Sequence, residues 1–206
     1  MVRPYTQVLL AATLAVLVWS FVGTHDRFTW LLEVAPFLIA LPILAATART
    51  FPLTALAYTL IAVHATILMV GGHYTYAQVP LGYWMQSAFA FSRNHYDRIG
   101  HFAQGFVPAI ISRELLIRLD VVRRRSWVPF LVVCFCLALS AFYELIEWWT
   151  AEASGSAAEA FLGTQGDPWD TQWDMFMALV GSVSALALLS SIHDRQLAAA
   201  RFSTDA

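Results

Sequence analysis

Apolar residues run along this chain in long blocks and do not alternate with polar ones at the spacing of a half-buried strand or a surface helix. Six blocks, 5–22, 30–46, 53–70, 96–119, 127–149 and 168–192, have about the 20-residue length a helix needs to cross the hydrocarbon layer. Within lipid, only helices and closed barrels satisfy their own backbone. The pattern predicts an all-α fold, a polytopic transmembrane bundle of about six spans that forms a single integral membrane domain over residues 1–206. One stretch between spans, 71–94, is too polar and too broken by Gly and Pro to cross. Its Tyr, Trp and Phe content suits the headgroup region, so it is expected to lie on the outer surface as an interfacial lid.

Composition supports this reading. The chain is 59% hydrophobic with a mean hydropathy of +0.61, against roughly 45–50% apolar residues in a soluble domain. The first block follows Arg3 and imitates a secretory signal, but five more spans follow it, so a retained helix is expected. Cys134 and Cys136 stand two apart in one span and point to different sides of a helix, which argues for core thiols and against a disulfide. There is no basic stripe and no nucleotide-binding glycine pattern, so nucleic acid is not an expected partner.

Charge sets the orientation. The chain has no lysine, and with the amino terminus inside, nine of its twelve arginines fall on the inner side and only Arg27, Arg93 and Arg98 on the outer side. That is the positive-inside arrangement of a bacterial inner-membrane protein with both termini in the cytoplasm. The acids run the other way, ten outside and four inside.

Several outer acids sit where hydrocarbon makes them costly, and ionisable residues inside a membrane are functional candidates by default. In the fourth span Asp97 and His101 are four apart and share a face, with Gln104 one turn deeper. An N-terminal cap by Asn94, with Asp97 in the first turn, would explain the aspartate but not the histidine. In the fifth span Glu144 and Glu147 lie near a helix carboxyl terminus, where the dipole disfavours negative charge, so a cation must compensate: Arg93, Arg98, protonated His101 or a metal. The run Asp167-Pro168-Trp169-Asp170 reads as a helix start, and capping would account for both of its aspartates. Asp174 lies past the first turn and is not explained that way. Beyond it Gly181, Ser182, Ser184 and Ala185 make a small-residue surface for close helix approach. Glu33 and His64 are weaker candidates, read first as an interfacial residue and a core histidine.

Carboxylates with an imidazole form a ligand set for zinc, manganese, magnesium or calcium. The expected metal ligands are His101, Asp97, Glu144, Asp170 and Asp174, with Glu147 and His101 as the proton-transfer residues.

The motifs GGHYTYAQVP, RNHYDRIGHFAQGF, YELIEWW and GTQGDPWDTQWDM, between Gly71 and Gly181, resemble those of the YjdF-type inner-membrane family of uncharacterised bacterial proteins. More distantly, Asp97 four before His101-Phe102, and Asp174 seven before Gly181, resemble the pattern of VanZ-like proteins, associated with glycopeptide antibiotic tolerance. This chain departs from that pattern in having Glu147 where it has Gln and Ala178 where it has Asn. The resemblance implies a membrane location and a helical bundle, without an established reaction.

The leading expectation is a metal-dependent membrane enzyme acting on a lipid-linked or cell-envelope substrate at the outer leaflet. A proton- or cation-coupled transporter is the alternative, and a non-catalytic envelope factor a third. The sequence does not fix the oligomeric state. A reporter fused after Ala206 is expected to be active in the cytoplasm, and a tag within 151–160 to be reachable from outside. A periplasmic carboxyl terminus would overturn both the span count and the location of the site.

Overall fold

A computed structural model describes residues 4–154 and 164–202, with side chains through residue 199. The expectations placed on 155–163, which include most of the small-residue outer loop and Glu159, lie outside the described residues, as do Arg3, Arg201 and the last four residues. Seven α-helices are present among the described residues, and no strand: α1 (Pro4–Phe21), α2 (Arg27–Thr47), α3 (Ala55–Tyr74), α4 (Pro80–Phe89), α5 (Tyr96–Arg118), α6 (Val128–Ser154) and α7 (Asp170–Phe202). Single 3₁₀ turns precede α4 and α6.

Helices α1, α2, α3, α6 and α7 are long and apolar enough to cross a membrane. Helix α5 is the sixth expected span. Its 23 residues reach about 34 Å at roughly 1.5 Å per residue, but it carries three arginines and two acids. It can do so because it is the central helix, packed against α3, α6 and α7. Ala109 and Ile110 on α5 are fully enclosed, together with Val132 and Cys136 of α6, Ala185 of α7 and Ala57 of α3. Large apolar side chains on the other helices, such as Val8, Val18, Ile39 and Leu188, point outward, as lipid-facing positions should. Cys134 is exposed and Cys136 buried, and both are free thiols.

Small residues set the closeness of α5 and α7. A Cβ on Gly105 would overlap the Ala178 carbonyl, and one on Gly181 would overlap the Phe102 carbonyl and the Phe106 amide. Ala178, Ser182 and Ala185 are fully buried along the same seam. Without a hydrophobic driving force between helices in lipid, such close backbone approach is what gives dispersion its reach.

At the end of the bundle that the arginines predict to face the cytoplasm, called the inner end below, three helices are tied by buried polar bonds. Glu114 of α5 accepts from the Thr54 amide (3.0 Å), the Thr54 hydroxyl (2.7 Å), Arg118 (2.7 Å) and His193 Nε2 (3.1 Å). Arg113 donates to His193 Nδ1 at 3.1 Å and pairs with Asp194 at 2.7 Å. Thr54 also caps α3 through the Ala57 amide. Glu114 and His193 are both fully buried and fully paired.

The expected lid over 71–94 divides in two. Helix α3 continues through Tyr74, past the expected end at 70, because Gly71 and Gly72 let neighbours reach its backbone: Tyr76 packs on Gly71, and Trp30 and Val34 on Gly72. Tyr76 and Val79 are buried with Tyr96 in a small core of their own, so this half is fixed structure. Only α4 and the turn after it keep an interfacial character, with Leu81, Tyr83, Trp84, Phe89 and Phe91 exposed. The ends of the other spans also differ from expectation: α6 runs to Ser154 and α7 to Phe202.

The seam between α5 and α7 gives a direct test. Gly105→Ala is expected to cost about 1–3 kcal/mol or more through overpacking, read as a lower midpoint of thermal unfolding in detergent. Gly166→Ala meets open space and is limited to the strain of a positive φ of +83°, so it should cost about 1 kcal/mol.

Candidate functional site

The outer ends of α5, α6 and α7 bring the expected acids together around two arginines and one histidine. Asn94 begins the arrangement. Its Oδ1 accepts from the Tyr96 amide at 3.0 Å, its Nδ2 donates to the Val79 carbonyl at 3.0 Å, and it packs on Gly82, so the start of α5 is locked to the turn before α4. The N-cap position of α5 is His95 and not the expected Asn94, which instead braces the first helical amide from one residue earlier, and Asp97 faces His101.

Arg93 and Arg98 then reach across to the start of α7. Arg93 pairs with Asp167 at 3.1 Å and Asp170 at 2.5 Å. Arg98 pairs with Asp167 at 3.3 Å, with Asp170 at 3.0 Å and, most closely, with Asp174. Its guanidinium also lies 5.9 Å from the centre of the Trp173 ring, within cation–π range. Asp167 Oδ1 caps the following turn by accepting from the Trp169 amide at 2.9 Å, so it serves as helix cap and ion-pair partner together. The sequence reading named both arginines only as available cations. The spacing of five between them, facing three aspartates at spacings of three and four, was the signal that could have found the fork.

His101 lies one turn deeper and is buried, with 5% of its surface exposed. Its Nδ1 is 2.9 Å from Gln104 Oε1. With Gln104 Oε1 as the acceptor, the tautomer that fits is the one protonated at Nδ1, which leaves Nε2 to ligate or to bind a second proton. Nε2 faces Asp97 Oδ1 at 3.4 Å and Asp174 Oδ1 at 3.9 Å. On the other edge of the ring, Glu144 Oε1 lies 3.8 Å from Nδ1, and that oxygen has no hydrogen-bond partner although Glu144 is only 7% exposed. Two groups of three potential ligands result, Asp97–His101–Asp174 and His101–Glu144–Glu147, each with its donor atoms within 4.8 Å of one another.

Five expected residues, Asp97, His101, Glu144, Glu147 and Asp174, are thus brought to one place. Asp170 is in neither group and pairs with Arg93 and Arg98, whereas Asp174 pairs with Arg98 and also faces His101. Glu33 joins from α2, having Tyr76, Asp97 and His101 as its polar neighbours. Tyr143 stands edge-on to His101, with ring centres 6.3 Å apart. His64 keeps an unpartnered Nε2 on α3. Outside the spans, burial first and then the charges of Arg93 and Arg98 push the His95 imidazole below its ordinary pKa, so it is neutral at pH 7.

Beside this cluster an apolar groove of about 470 Å³ runs along the outer ends of α5 and α7, walled by Met85, Phe91, Phe102, Trp173 and Met177 and reaching Arg98 and His95. It follows a different face of α5 from the one that carries Asp97 and His101.

A family model described as "Predicted membrane protein (DUF2238)" matches residues 5–195. The chain belongs to this family. The inner membrane protein YjdF of Escherichia coli (strain K12) is 56% identical over 182 residues, covering 88% of this chain and 87% of that protein. No solved structure matches. The protein is accordingly a multi-pass inner-membrane protein.

Arg98 holds the mouth of α5 to α7, and its loss leaves Asp170 and Asp174 short of a counter-charge. Arg98→Gln is expected to lower the unfolding free energy by about 3–5 kcal/mol, the range for breaking a buried pair. Arg98→Lys should recover only part, since an ammonium cannot present the planar fork that three carboxylates share. Unfolding titrations in mixed micelles would read both, and equal stability of the lysine variant and the natural protein would show that the fork geometry is unimportant.

Proposed function

We propose that the cluster around His101 binds a divalent cation and that the protein is a metal-dependent membrane enzyme acting on a lipid-linked or cell-envelope substrate at the outer leaflet. The observation that carries the reading is the setting of His101. Gln104 takes up Nδ1, and Nε2 is left facing two carboxylates. A bare lone pair between Asp97 and Asp174 is electrostatically unfavourable unless a cation or a second proton stands between them.

Charge points the same way. Glu33, Asp97, Glu144, Glu147, Asp167, Asp170 and Asp174 outnumber the two arginines that answer them. Buried charge without a partner is costly, and a bound cation reverses the local balance. One imidazole with carboxylates suits zinc or manganese, and more carboxylate-rich variants suit magnesium or calcium. Asp97, His101 and Asp174 would form the first donor set, with Gln104 fixing the tautomer of the histidine in the way outer partners commonly do. A cation held there supplies Lewis acidity toward water or toward a phosphoryl or acyl oxygen. Glu147, on the far side of His101 and beside Glu144, is placed to accept a proton. The apolar groove next to Arg98 supports a lipid-linked substrate, because it offers acyl or prenyl chains a place beside the outer cluster.

A proton- or cation-coupled transporter is the second reading, and one observation favours it. The fully buried Glu114–His193 pair lies on the same two helices near the inner end, and between the two clusters Ser140 Oγ is buried without a partner. Chains of Asp, Glu and His are the material of membrane relays.

Metal analysis of the purified protein tests the first reading. The natural protein is expected to hold about one equivalent of a divalent metal, with His101→Ala and Asp174→Asn each losing it, and Asp170→Asn retaining most of it. Chelation should lower the thermal midpoint of the natural protein and leave that of His101→Ala unchanged. Metal-free protein whose stability ignores chelators would sink the enzyme reading in this form and leave the relay standing.

A further inference from the structure

A second cavity among the described residues is remote from the outer cluster. It lies between the inner halves of α1, α2 and α3 and measures about 540 Å³, within the roughly 300–1,000 Å³ typical of small-molecule sites. Its origin is in how α1 and α2 are held. Both lie along α3, and the polar and aromatic contacts between them fall at their outer ends. There the Trp30 indole donates to the Ser20 hydroxyl at 3.0 Å, and Phe21 stands edge-on to Trp30 with ring centres 4.9 Å apart. The outer end of α1 is also fixed to α3, with the Thr24 hydroxyl donating to the Gly72 carbonyl at 3.1 Å and the His25 amide to the His73 carbonyl at 3.0 Å.

Toward the inner end a gap lies between α1 and α2 among the described residues. Pro36 and Pro42 lie inside α2, and each removes a helical hydrogen bond and offers a bend point. The facing walls carry Leu10, Phe37, Leu41 and Leu44, with alanines at 45, 46 and 62 where a bulky chain would fill the space.

Among the described residues that line it, one is a cation. Arg49 lines the cavity where α2 ends, and among the described residues no carboxylate lies within pairing distance of it. The buried inner acid Glu114 is taken by Arg118 and His193, and Asp194 by Arg113. In the orientation that the arginines predict, this apolar cleft lies in the cytoplasmic half of the membrane, and with a guanidinium at its mouth that is unpaired among the described residues it is complementary to one class of molecule. Its tails are apolar and its head carries a phosphate. Guanidinium and phosphate pair through two parallel hydrogen bonds, and cytoplasmic-leaflet anionic lipids are drawn to such basic sites.

We propose that this cleft is a binding site for one anionic phospholipid of the cytoplasmic leaflet, with an acyl chain between α1 and α2 and the headgroup phosphate on Arg49. The site is independent of the outer cluster and of any reaction there. A bound acyl chain replaces the missing contact between α1 and α2 and so fixes the angle of α2, the helix that carries Glu33 to the outer cluster.

Native mass spectrometry of the full chain, released from nanodiscs of equal phosphatidylglycerol and phosphatidylcholine, tests this. The natural protein is expected to retain one phosphatidylglycerol per chain, about fivefold over phosphatidylcholine, the preference one arginine supplies near a membrane surface. Arg49→Gln, a change at an exposed position, should bring that ratio close to one. Ala45→Phe, which fills the cleft, should reduce retention of both lipids. Equal retention of the two lipids by the natural protein would overturn the proposal without recourse to any variant. So would an undiminished preference in Arg49→Gln, or a lipid-free dimer in which a second copy of the chain fills the cleft.

Discussion

Burying a charged helix in hydrocarbon is possible only if other helices supply every partner its polar groups need, and the arrangement of this protein follows from that constraint on α5. Arg98, Asp97 and His101 at one end and Arg113, Glu114 and Arg118 at the other would each be costly against lipid. Helices α3, α6 and α7 surround α5 and answer these residues with Thr54, Glu144, Asp170, Asp174, His193 and Asp194. The close seam through Gly105 and Gly181 makes this reach geometrically feasible, since side chains as short as aspartate bridge the two helices only when the backbones nearly touch. Helix α1 carries no charged residue among its buried positions, and α2 only Glu33, which turns to the same outer cluster.

The two polar ends are chemically unlike. At the inner end Glu114 accepts from four donors and His193 uses both ring nitrogens, which describes a closed, rigid clasp. At the outer end acids outnumber arginines, and an oxygen of Glu144 is left without a donor. A fully satisfied network specifies structure, whereas an unsatisfied one stores a capacity to bind. The difference between the ends, more than the presence of charge at either, is why the outer one is the place to look for chemistry.

The outer end is also built in an order. Asn94 fixes the start of α5, the arginines tie that start to α7, and only then do Asp97 and Asp174 converge on His101 from two helices. Tyr76, seated between Gly71 and Gly100, brings the end of α3 and Glu33 of α2 against the same cluster. A site assembled from four helices in this way depends on the bundle as a whole, and substitutions that shift the seam are felt there.

Much of this was legible in the sequence. Long uninterrupted apolar blocks determine a multi-span helical protein, and the distribution of arginine predicts its orientation, because span length and flanking charge are properties of single segments. Asp97, His101, Glu144, Glu147 and Asp174 could be singled out since an ionisable residue inside hydrocarbon needs a reason wherever it occurs. Partners could not be read in this way. That Asp170 belongs to Arg93 and Arg98 and not to His101, that Tyr76 is core and not lid, and that Glu114 meets His193 across 79 positions all depend on which helices lie side by side. The pattern of one segment carries its need for a partner, but the partner's identity is set by helix packing between segments distant in the chain, and that only the tertiary structure decides.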